Sequence, residues 1–395
     1  MIGEKWTGLR NGKLVTPKRI YEDGILVIAP DGRIAGIGNI TEVRVPLKND
    51  VEWIDVEGGI IAPGFINLHV HGVAGKSCFE TDYESINYVS CNLAKEGITA
   101  YCAGMIGDTT EVMIERIKGT RSAMERGVEG AELLGSFLEG PYICEQYKGA
   151  APLNRIRKPD LIEFEKFLQV GAGSVKMVTI APELEGALEV IAFANRNGVV
   201  VSLGHSAATY DQMLAGIEAG GRHSTHTYNG MRGLHHREPA VVGTIMADER
   251  ITGELIADCV HVHPAAMKIL IRVKGYDRVC LITDGTPQSG LPDGEYISEY
   301  GAELIVKDGT VKQKDGTIAG SVTPMNLGVR NLIEKVGLSL PEAIWMAATT
   351  PAEVLGLSHR LGTLEVGKDA NVVVLGEDFT VQRTIVHGKT VYQRK

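Results

Sequence analysis

GFINLHV (64–70) is the first of eight short apolar runs that alternate with helix-like segments, and this alternation decides the fold. The runs begin about every 31 residues between residues 65 and 279, which is the length of a βα unit. Eight consecutive units predict a TIM-like (β/α)8 barrel of the α/β class. A doubly wound sheet is the second choice, but the chain lacks the GxGxxG pattern that favours it. The other seven runs are ITAYCAG (98–104), LLGSFLEG (133–140), VKMVTIAP (175–182), VVVSLGH (199–205), RHSTHTY (222–228), ELIADCV (254–260) and VCLITDG (279–285).

The segments between the runs read as helices, whereas both ends of the chain read as strands. DYESINYVSCNLAKEG (82–97) and LEGALEVIAFANRNG (184–198) each end at a glycine that can close a helix. Near the N-terminus, ILVIAPDGRIAGIG (25–38) has two apolar runs joined by Pro-Asp-Gly, which is a hairpin signal. The tail from GKDANVVVL (367–375) onward is equally β-rich. The pattern therefore predicts a small sheet built from both termini beside the barrel.

The composition is that of a folded protein with an acidic surface. The 395 residues include 40 Lys and Arg against 49 Asp and Glu, a formal net charge of −9. Because such a surface repels polyphosphate, it argues against a nucleic-acid or anionic-membrane partner. No apolar run approaches the length of about 18 residues that a transmembrane helix needs, and MIGEKWTGLRNGKL (1–14) lacks the apolar core of a signal peptide. Six scattered cysteines without a CxxC pair predict reduced thiols and a cytoplasmic location.

Polar side chains collect at the carboxyl ends of the predicted strands, where barrel active sites form. His69 and His71 end the first run, and strand alternation puts both side chains on one face, with Leu68 and Val70 on the other. Imidazole nitrogen and carboxylate oxygen suit borderline divalent ions, and two ions can share a bridging carboxylate. The other residues at or just beyond strand ends are Glu139, His205, His226, His261 and Asp284. Together with His69 and His71, these residues predict a catalytic metal site.

Each of these motifs also has a purely structural interpretation. A lone HxH pair, Glu139 in LEGPY or His205 in GHS could pack or form hydrogen bonds without binding a metal. The metal interpretation is favoured because all of them fall at strand ends. Cys259 is expected to be a core thiol and not a catalytic nucleophile, since no base that could activate it is matched to it. The histidines assigned a structural role are His223, which faces away from His226 on its strand, and His263, His359 and His387.

Seven motifs occur in the order and spacing of a known family. They are HVHG (69–72), LEGPY (138–142), GHS (204–206), THTYNGM (225–231), HHREP (235–239), IADCVH (256–261) and TDG (283–285). Together with AGSVTPMNLGVRNL (319–332) and RLGTLEVGKDANVVVL (360–375), they make nearly the whole chain resemble the N-acetylglucosamine-6-phosphate deacetylase family of the amidohydrolase superfamily. The resemblance implies a barrel over 61–356 and a small β-sandwich domain over 1–60 and 357–395.

The resemblance also implies a metal centre. A main divalent ion, zinc or iron, would be held by Glu139, His205 and His226. His69 and His71 would hold a second ion, because some family members lack this pair and bind only one. One or two ions per subunit are therefore expected.

The same resemblance implies a reaction and the residues that serve it. Asp284 matches the family's catalytic aspartate, and His261 matches its substrate-contacting histidine. Asn229, the backbone of Gly230 and Arg237 match the part of the site that receives the phosphate, with the arginine reaching the neighbouring subunit of a homodimer. The implied reaction is the metal-dependent deacetylation of N-acetyl-D-glucosamine 6-phosphate to D-glucosamine 6-phosphate and acetate, in amino-sugar catabolism.

Departures from the family pattern leave alternatives open. Ala151 occupies a position where many members have a histidine that polarises the carbonyl, and Asn67 occupies one where many have aspartate. Gly285 and Thr286 replace the Ala-Met or Ser-Met pair that is usual in the family. Deacetylation of the galacto epimer, or hydrolysis of another N-acyl compound, would use the same fold, which alone does not separate these activities. A metal-free barrel acting as a scaffold predicts broken ligand sets, whereas every ligand position here is filled.

Overall fold

The computed structural model describes residues 5–43 and 51–395 of the chain. Eight parallel strands lie side by side in the order of the sequence, which confirms the predicted TIM-like barrel. They are numbered here as the first to eighth barrel strands. In that order they are Phe65–Val70, Ile98–Ile106, Glu132–Glu139, Val175–Ile180, Val200–Leu203, His223–Ser224, Thr252–Ile256 and Val279–Ile282.

The barrel closes between its first and eighth strands. Val70 forms a parallel bridge with Gly285, whose carbonyl accepts a hydrogen bond from the backbone N–H of His71 at 2.7 Å. Asn67 reinforces this seam, because its side-chain amide donates to Thr283 Oγ1 at 2.7 Å. Closure therefore brings the histidines of the first strand next to the end of the eighth.

A helix follows each of the first seven strands. The helix predicted after the first run begins as expected, since Asp82 accepts a hydrogen bond from the backbone N–H of Ser85 at 2.8 Å and so satisfies a donor at the helix start. The seven helices are Tyr83–Ala94, Thr110–Arg126, Leu161–Gly171, Ala187–Arg196, Tyr210–Ala219, Ala240–Ala247 and Pro264–Lys274. Short 3-10 helices occupy Glu145–Tyr147, Leu153–Arg155 and Tyr276–Arg278. The helical segment after the eighth strand comprises Met325–Asn331, Leu332–Val336, Leu340–Ile344, Trp345–Thr349 and Thr350–Val354, of which the second and fourth are π-helical.

A second sheet combines strands from both ends of the chain, as predicted. The hairpin turn at Gly32 meets the C-terminal region, because Gly32 accepts from the N–H of Ala370, whose carbonyl accepts from Gly388. The sheet thereby folds over its own apolar core, which includes Leu26 and Ile385. The domain limits 1–60, 357–395 and 61–356 stay a prediction. In spatial order the strands are Lys389–Gln393, Val381–Val386, Val372–Leu375, Ile60–Pro63, Trp6–Val15, Ile20–Ile28 and Ile34–Gly38, with Val51–Asp55 also paired to Trp6–Val15.

Two small antiparallel sheets were not predicted from the sequence. The larger one, called the insertion here, lies between the eighth strand and the helical segment that follows it. Its small core packs against Ala150 of the loop after the third strand, so the insertion stands over the carboxyl edge of the barrel. The insertion strands are Gly294–Ile297, Glu303–Lys307, Thr310–Gln313 and Ile318–Ser321, and the smaller sheet pairs Gly72–Val73 with Lys76–Ser77.

The first strand departs from simple alternation. His69 and His71 do point the same way, as expected, with their Nε2 atoms 3.0 Å apart. Leu68 and Val70 do not share the opposite face, which corrects the prediction. Leu68 joins the apolar cluster inside the barrel, whereas Val70 packs in the cluster that includes the first helix. The cause is a register shift against the second strand between Asn67 and Val70, since a bulge breaks the two-residue side-chain period.

None of the helices in the described ranges combines the length and the apolar character that crossing a bilayer requires.

Candidate metal centre

Six ligand-bearing side chains from five different strand ends meet at the carboxyl edge of the barrel. Their ligand atoms form two groups, and within each group these atoms all lie within 4.8 Å of one another. The separate strands thus bring together residues that are far apart in sequence. The first group is Glu139, His205 and His226, and the second is His69, His71 and Asp284.

Glu139 lies between the two groups. Its Oε1 atom is 3.0 Å from the Nε2 atoms of both His205 and His226. Its other oxygen, Oε2, is 3.1 Å from His71 Nε2. One carboxylate therefore faces both groups, and ions held in the two groups would share it.

The outer ring nitrogens of the first-strand histidines are fixed by hydrogen-bond acceptors. His69 Nδ1 lies 2.9 Å from Glu254 Oε2, and His71 Nδ1 lies 3.2 Å from the carbonyl oxygen of Gly104. Because both partners accept, each Nδ1 must carry the proton and donate it. When each ring carries only this proton, the Nε2 atoms, 3.0 Å apart, present lone pairs to the same space. Two lone pairs at this distance repel unless a cation lies between them, and metal-binding histidines are oriented in this way.

The second histidine pair is arranged similarly. His205 Nδ1 lies 2.6 Å from the carbonyl oxygen of Tyr147 and donates to it. His205 Nε2 and His226 Nε2 are 3.0 Å apart, and both face the same oxygen of Glu139. These donor atoms have the chemistry that a divalent ion of the zinc or iron type accepts.

The backbone is bent at three of these strand ends. His205, His226 and Asp284 have φ values of 47°, 26° and 50°, in a left-handed region that side chains other than glycine rarely adopt. Such strained residues persist where the surrounding structure holds them, often at functional sites. Gly230 also has a positive φ of 58°, and a Cβ there would lie 2.9 Å from His205 Nδ1. Glycine is therefore required beside this histidine.

The carboxylates of the two ligand groups and Glu254 favour positive charge at the centre. Burial disfavours the charged imidazole of His69, but Glu254, Glu139 and Asp284 outweigh it and raise its pKa well above the ordinary value. For His71, Asp284 and Glu139 likewise overcome burial and raise the pKa to about 9. Burial alone would raise the pKa of Glu139, yet the neighbouring histidines lower it well below its usual range. A site with this balance stabilises a cation.

A cavity of about 950 Å³ opens above the two ligand groups. The predicted substrate residues Asn229, Gly230 and His261 line it. His261 is held by Asp258, whose Oδ2 lies 2.6 Å from its Nδ1. Ala151 and residues of the insertion also line the cavity. The space is within the range that small-molecule sites occupy.

Arg237 is the one predicted site residue that lies in neither the ligand groups nor the cavity lining of its own chain. It lies on an exposed loop, and its Nη1 is 2.8 Å from His236 Nε2. The neighbouring Glu238 accepts the backbone N–H groups of Tyr210 and Ala240 instead of pairing with this arginine. The guanidinium is therefore free of an ion pair with its sequence neighbour.

Two buried carboxylates beside the centre were missed in the sequence. Glu254 begins the run ELIADCV (254–260), which also contains Asp258, three residues before His261. A charged residue within a buried strand, Thr252–Ile256, was the available signal for Glu254. Asp258 carried a weaker one, because its spacing from His261 is also common in solvent-exposed turns.

Comparison with known proteins agrees with this geometry. The amidohydrolase family model matches residues 60–391, and the chain belongs to the amidohydrolase family. An N-acetylglucosamine-6-phosphate deacetylase from Vibrio furnissii is 36% identical over 384 residues, covering 97% of this chain and 94% of that protein. An N-acetylgalactosamine-6-phosphate deacetylase from Escherichia coli O157:H7 is 38% identical over 381 residues, covering 96% and 98%.

Solved structures agree as well. The crystal structure of N-acetyl-D-glucosamine-6-phosphate deacetylase from Mycobacterium smegmatis matches with a TM-score of 0.89 at 31% identity, covering 98% of this chain and 100% of that one. The enzyme of the same name from Pasteurella multocida matches with a TM-score of 0.91 at 29% identity, with the same coverage. The family resemblance inferred from the seven motifs is thereby confirmed.

Proposed function

We propose that the protein is a metal-dependent deacetylase that hydrolyses N-acetyl-D-glucosamine 6-phosphate to D-glucosamine 6-phosphate and acetate. The observation that carries this proposal is the pair of ligand groups at the floor of the cavity, with Glu139 facing both. The Vibrio furnissii relative, similar over nearly its whole length, supports the choice of substrate.

Glu139, His205 and His226 are proposed to hold a main divalent ion, with His69 and His71 holding a second. The fit rests on the histidine Nε2 atoms that converge while three of the Nδ1 atoms donate outward. A divalent ion bound there lowers the pKa of water and stabilises negative charge on the amide oxygen. Zinc or iron suits this nitrogen and oxygen set, with one or two ions per subunit.

Asp284 is proposed to move the proton. Burial raises the pKa of this carboxyl group, but His69 and His71 outweigh burial and lower it, so Asp284 is ionised at neutral pH. The ionised carboxylate accepts a proton from the attacking water as oxygen bonds to the amide carbon. It then donates that proton to the nitrogen as the C–N bond breaks, because an unprotonated amine anion is a very poor leaving group. Acetate and the free amine result.

His261, Asn229 and the backbone of Gly230 are proposed to contact the sugar phosphate, since all three line the cavity. The Asp258 carboxylate holds the His261 ring in one orientation. Burial disfavours its charged form, but Asp258 outweighs this and raises the pKa of His261. A histidine with a raised pKa suits a hydrogen bond to a polar oxygen of the substrate.

We also propose a cytoplasmic homodimer in which Arg237 reaches the phosphate bound by the partner subunit. The exposed position of Arg237 supports this, because the arginine lies outside the cavity of its own chain. A planar, permanently charged guanidinium suits bidentate phosphate binding. All six cysteines are unpaired, which fits a reducing compartment.

A second candidate is deacetylation of the galacto epimer, favoured by the similar Escherichia coli relative. The test is acetate release from N-acetylglucosamine 6-phosphate, its galacto epimer and unphosphorylated N-acetylglucosamine. The first is expected to give the highest kcat/KM and the last the lowest. A preference for the galacto epimer would select the alternative, and equal rates for the unphosphorylated sugar would rule out recognition of the phosphate.

A further inference from the structure

Glu254 is a fully buried carboxylate directly behind the metal centre. It lies on the seventh barrel strand, and its residue is 0% exposed. The following residues of this strand, Leu255 and Ile256, are buried and apolar. Because a buried charge is costly unless it is paired and hydrogen-bonded, the contacts of Glu254 indicate why it is there.

One oxygen of Glu254 contacts a residue from each ligand group. Oε2 lies 2.9 Å from His69 Nδ1 and accepts the backbone N–H of His226, also at 2.9 Å. The other oxygen, Oε1, lies 3.4 Å from His223 Nε2, and the opposite nitrogen of that ring is 2.6 Å from Thr252 Oγ1. Oε2 is thus fixed by two hydrogen bonds, whereas Oε1 is near His223 without a hydrogen bond to it.

The contact with His69 fixes which nitrogen of the ring carries the proton. An ionised carboxylate only accepts, so Nδ1 must donate, and in the neutral ring that binds a metal Nε2 presents its lone pair toward His71. A carboxylate in this position also makes the imidazole a stronger ligand, and the loss of such a partner typically lowers metal affinity. The contact with His226 holds a backbone N–H at a residue whose φ is 26°, which stabilises the bend that turns this histidine toward Glu139.

We propose that Glu254 is a positioning residue that couples the two ligand groups and sets the affinity of the His69–His71 pair for a divalent ion. The inference rests on the proposed metal-dependent function. It assigns Glu254 a role in ion binding, with no contact to the substrate.

Glu254→Gln removes the negative charge of the side chain and keeps its shape. The amide keeps one oxygen that can accept from His69 and His226, but it removes the negative charge and places N–H donors beside His223. Glu132→Gln is the matched control. Glu132 lies at the opposite end of the barrel, where its carboxylate pairs with Arg360 at 2.8 Å. Both substitutions replace a glutamate by its isosteric amide, and only Glu254 contacts the ligand groups.

The experiment is a Co²⁺ titration of chelator-stripped protein, followed by equilibrium dialysis and visible absorption. Wild type and Glu132→Gln are expected to bind Co²⁺ with the same affinity. Glu254→Gln is expected to bind about 10–100-fold more weakly, with the largest loss in the ion held by His69 and His71. Glu254→Asp keeps the charge but shortens the reach, and its affinity should lie between those of wild type and Glu254→Gln.

The outcomes distinguish this inference from the function on which it rests. A Glu254→Gln titration that superimposes on that of wild type overturns the inference and leaves the metal-dependent function standing. If Glu254→Gln does not fold, wild-type affinity in Glu254→Asp overturns it instead. Wild-type protein that binds no Co²⁺ contradicts the metal-dependent function itself. Thermal unfolding of the metal-free proteins shows whether each variant is folded before the titration.

Discussion

His71 Nε2 lies 3.3 Å from Asp284 Oδ1. The same nitrogen is 3.1 Å from Oε2 of Glu139, so one imidazole lies between this proposed metal ligand and the proposed proton carrier. Two carboxylates this close to one point repel each other unless positive charge lies between them. The proposed proton transfer by Asp284 would therefore be coupled through His71 to the cation that the centre is proposed to hold.

Asp284→Asn tests the proton-transfer role. The amide keeps the shape of the side chain but cannot accept the proton, and positioned acid–base groups contribute roughly 10²–10⁴-fold to rates. We expect kcat for acetate release to fall by at least that order while metal content is retained. Asp315→Asn, on an exposed turn of the insertion, should keep the wild-type rate. An Asp284→Asn enzyme within about tenfold of wild type would assign proton transfer to another residue.

Glu139→Gln tests the metal requirement. The carboxylate faces both ligand groups, so losing its charge should remove bound metal and nearly all activity while the protein stays folded. Elemental analysis and circular dichroism measure the two effects separately. Full activity in a chelator-treated, metal-depleted wild-type sample would contradict the hydrolytic role of the metal.

Replacing both His69 and His71 by asparagine tests the second ion. The wild-type protein should bind close to two ions per chain, and the double variant close to one, because the Glu139, His205 and His226 group is left intact. The remaining ion should support weakened activity. Equal stoichiometry in the two proteins would argue against a two-ion centre.

The barrel could be predicted because each of its strands is a short apolar run at a regular interval. The fourth run, VKMVTIAP, became Val175–Ile180 with little error. RHSTHTY became a strand over only His223–Ser224, since left-handed backbone at His226 ends it early. The insertion was missed because its strands are short and one-sided. In Glu303–Lys307 only alternate residues are buried, and that pattern on four- or five-residue strands resembles a polar loop.

The strand-end ligands could also be predicted, because a barrel places all carboxyl ends at one edge. The contact between Glu254 and His69 could not be predicted, since the two residues are 185 positions apart in sequence. Only the closed barrel brings the first and seventh strands near enough for this contact. The strand-end pattern did not indicate Arg237, and its proposed role in phosphate binding rests on the family resemblance.

Stability should depend on pH through His387, which lies near the opposite end of the barrel. Its Nε2 is 3.2 Å from Glu132 Oε2, and this contact, opposed by burial, raises the pKa of His387. Burial raises the pKa of Glu132, but His387 and Arg360 outweigh it and lower that pKa to about 2, so Glu132 stays ionised above pH 5. A raised histidine pKa contributes stability that is fully present below the unfolded value of about 6.5. That contribution is lost as pH rises through the folded pKa.

His387→Ala should therefore destabilise the protein more at pH 5.5 than at pH 9. The pH-dependent part should be about 0.2–1 kcal/mol, because the pair is partly exposed. Urea unfolding of both proteins across this range measures the difference in free energy of unfolding. A difference that does not change with pH would show that the ion pair contributes nothing to the pH dependence.

Arg237→Ala tests recognition of the phosphate. A charged hydrogen-bond pair is worth about 1.5–3 kcal/mol, so kcat/KM for the phosphorylated sugar should fall roughly 10–150-fold. The unphosphorylated sugar has no phosphate to lose and should be affected little. Arg250→Ala is the control, since Arg250 is an exposed arginine that pairs with Asp248. Equal losses for both sugars would mean that Arg237 supports the fold of the site and does not read the phosphate.

Mixed dimers test whether Arg237 acts across the subunit interface. An Arg237→Ala subunit keeps its own Asp284, and an Asp284→Asn subunit still offers its arginine. If the arginine serves the partner's cavity, one of the two sites in a mixed dimer combines a working aspartate with a working arginine. Co-refolded mixtures should then recover toward half the wild-type activity per mixed dimer, although each parent alone is poor. Mixtures that only average the two parents would place the arginine in its own chain's site or exclude this mode of pairing.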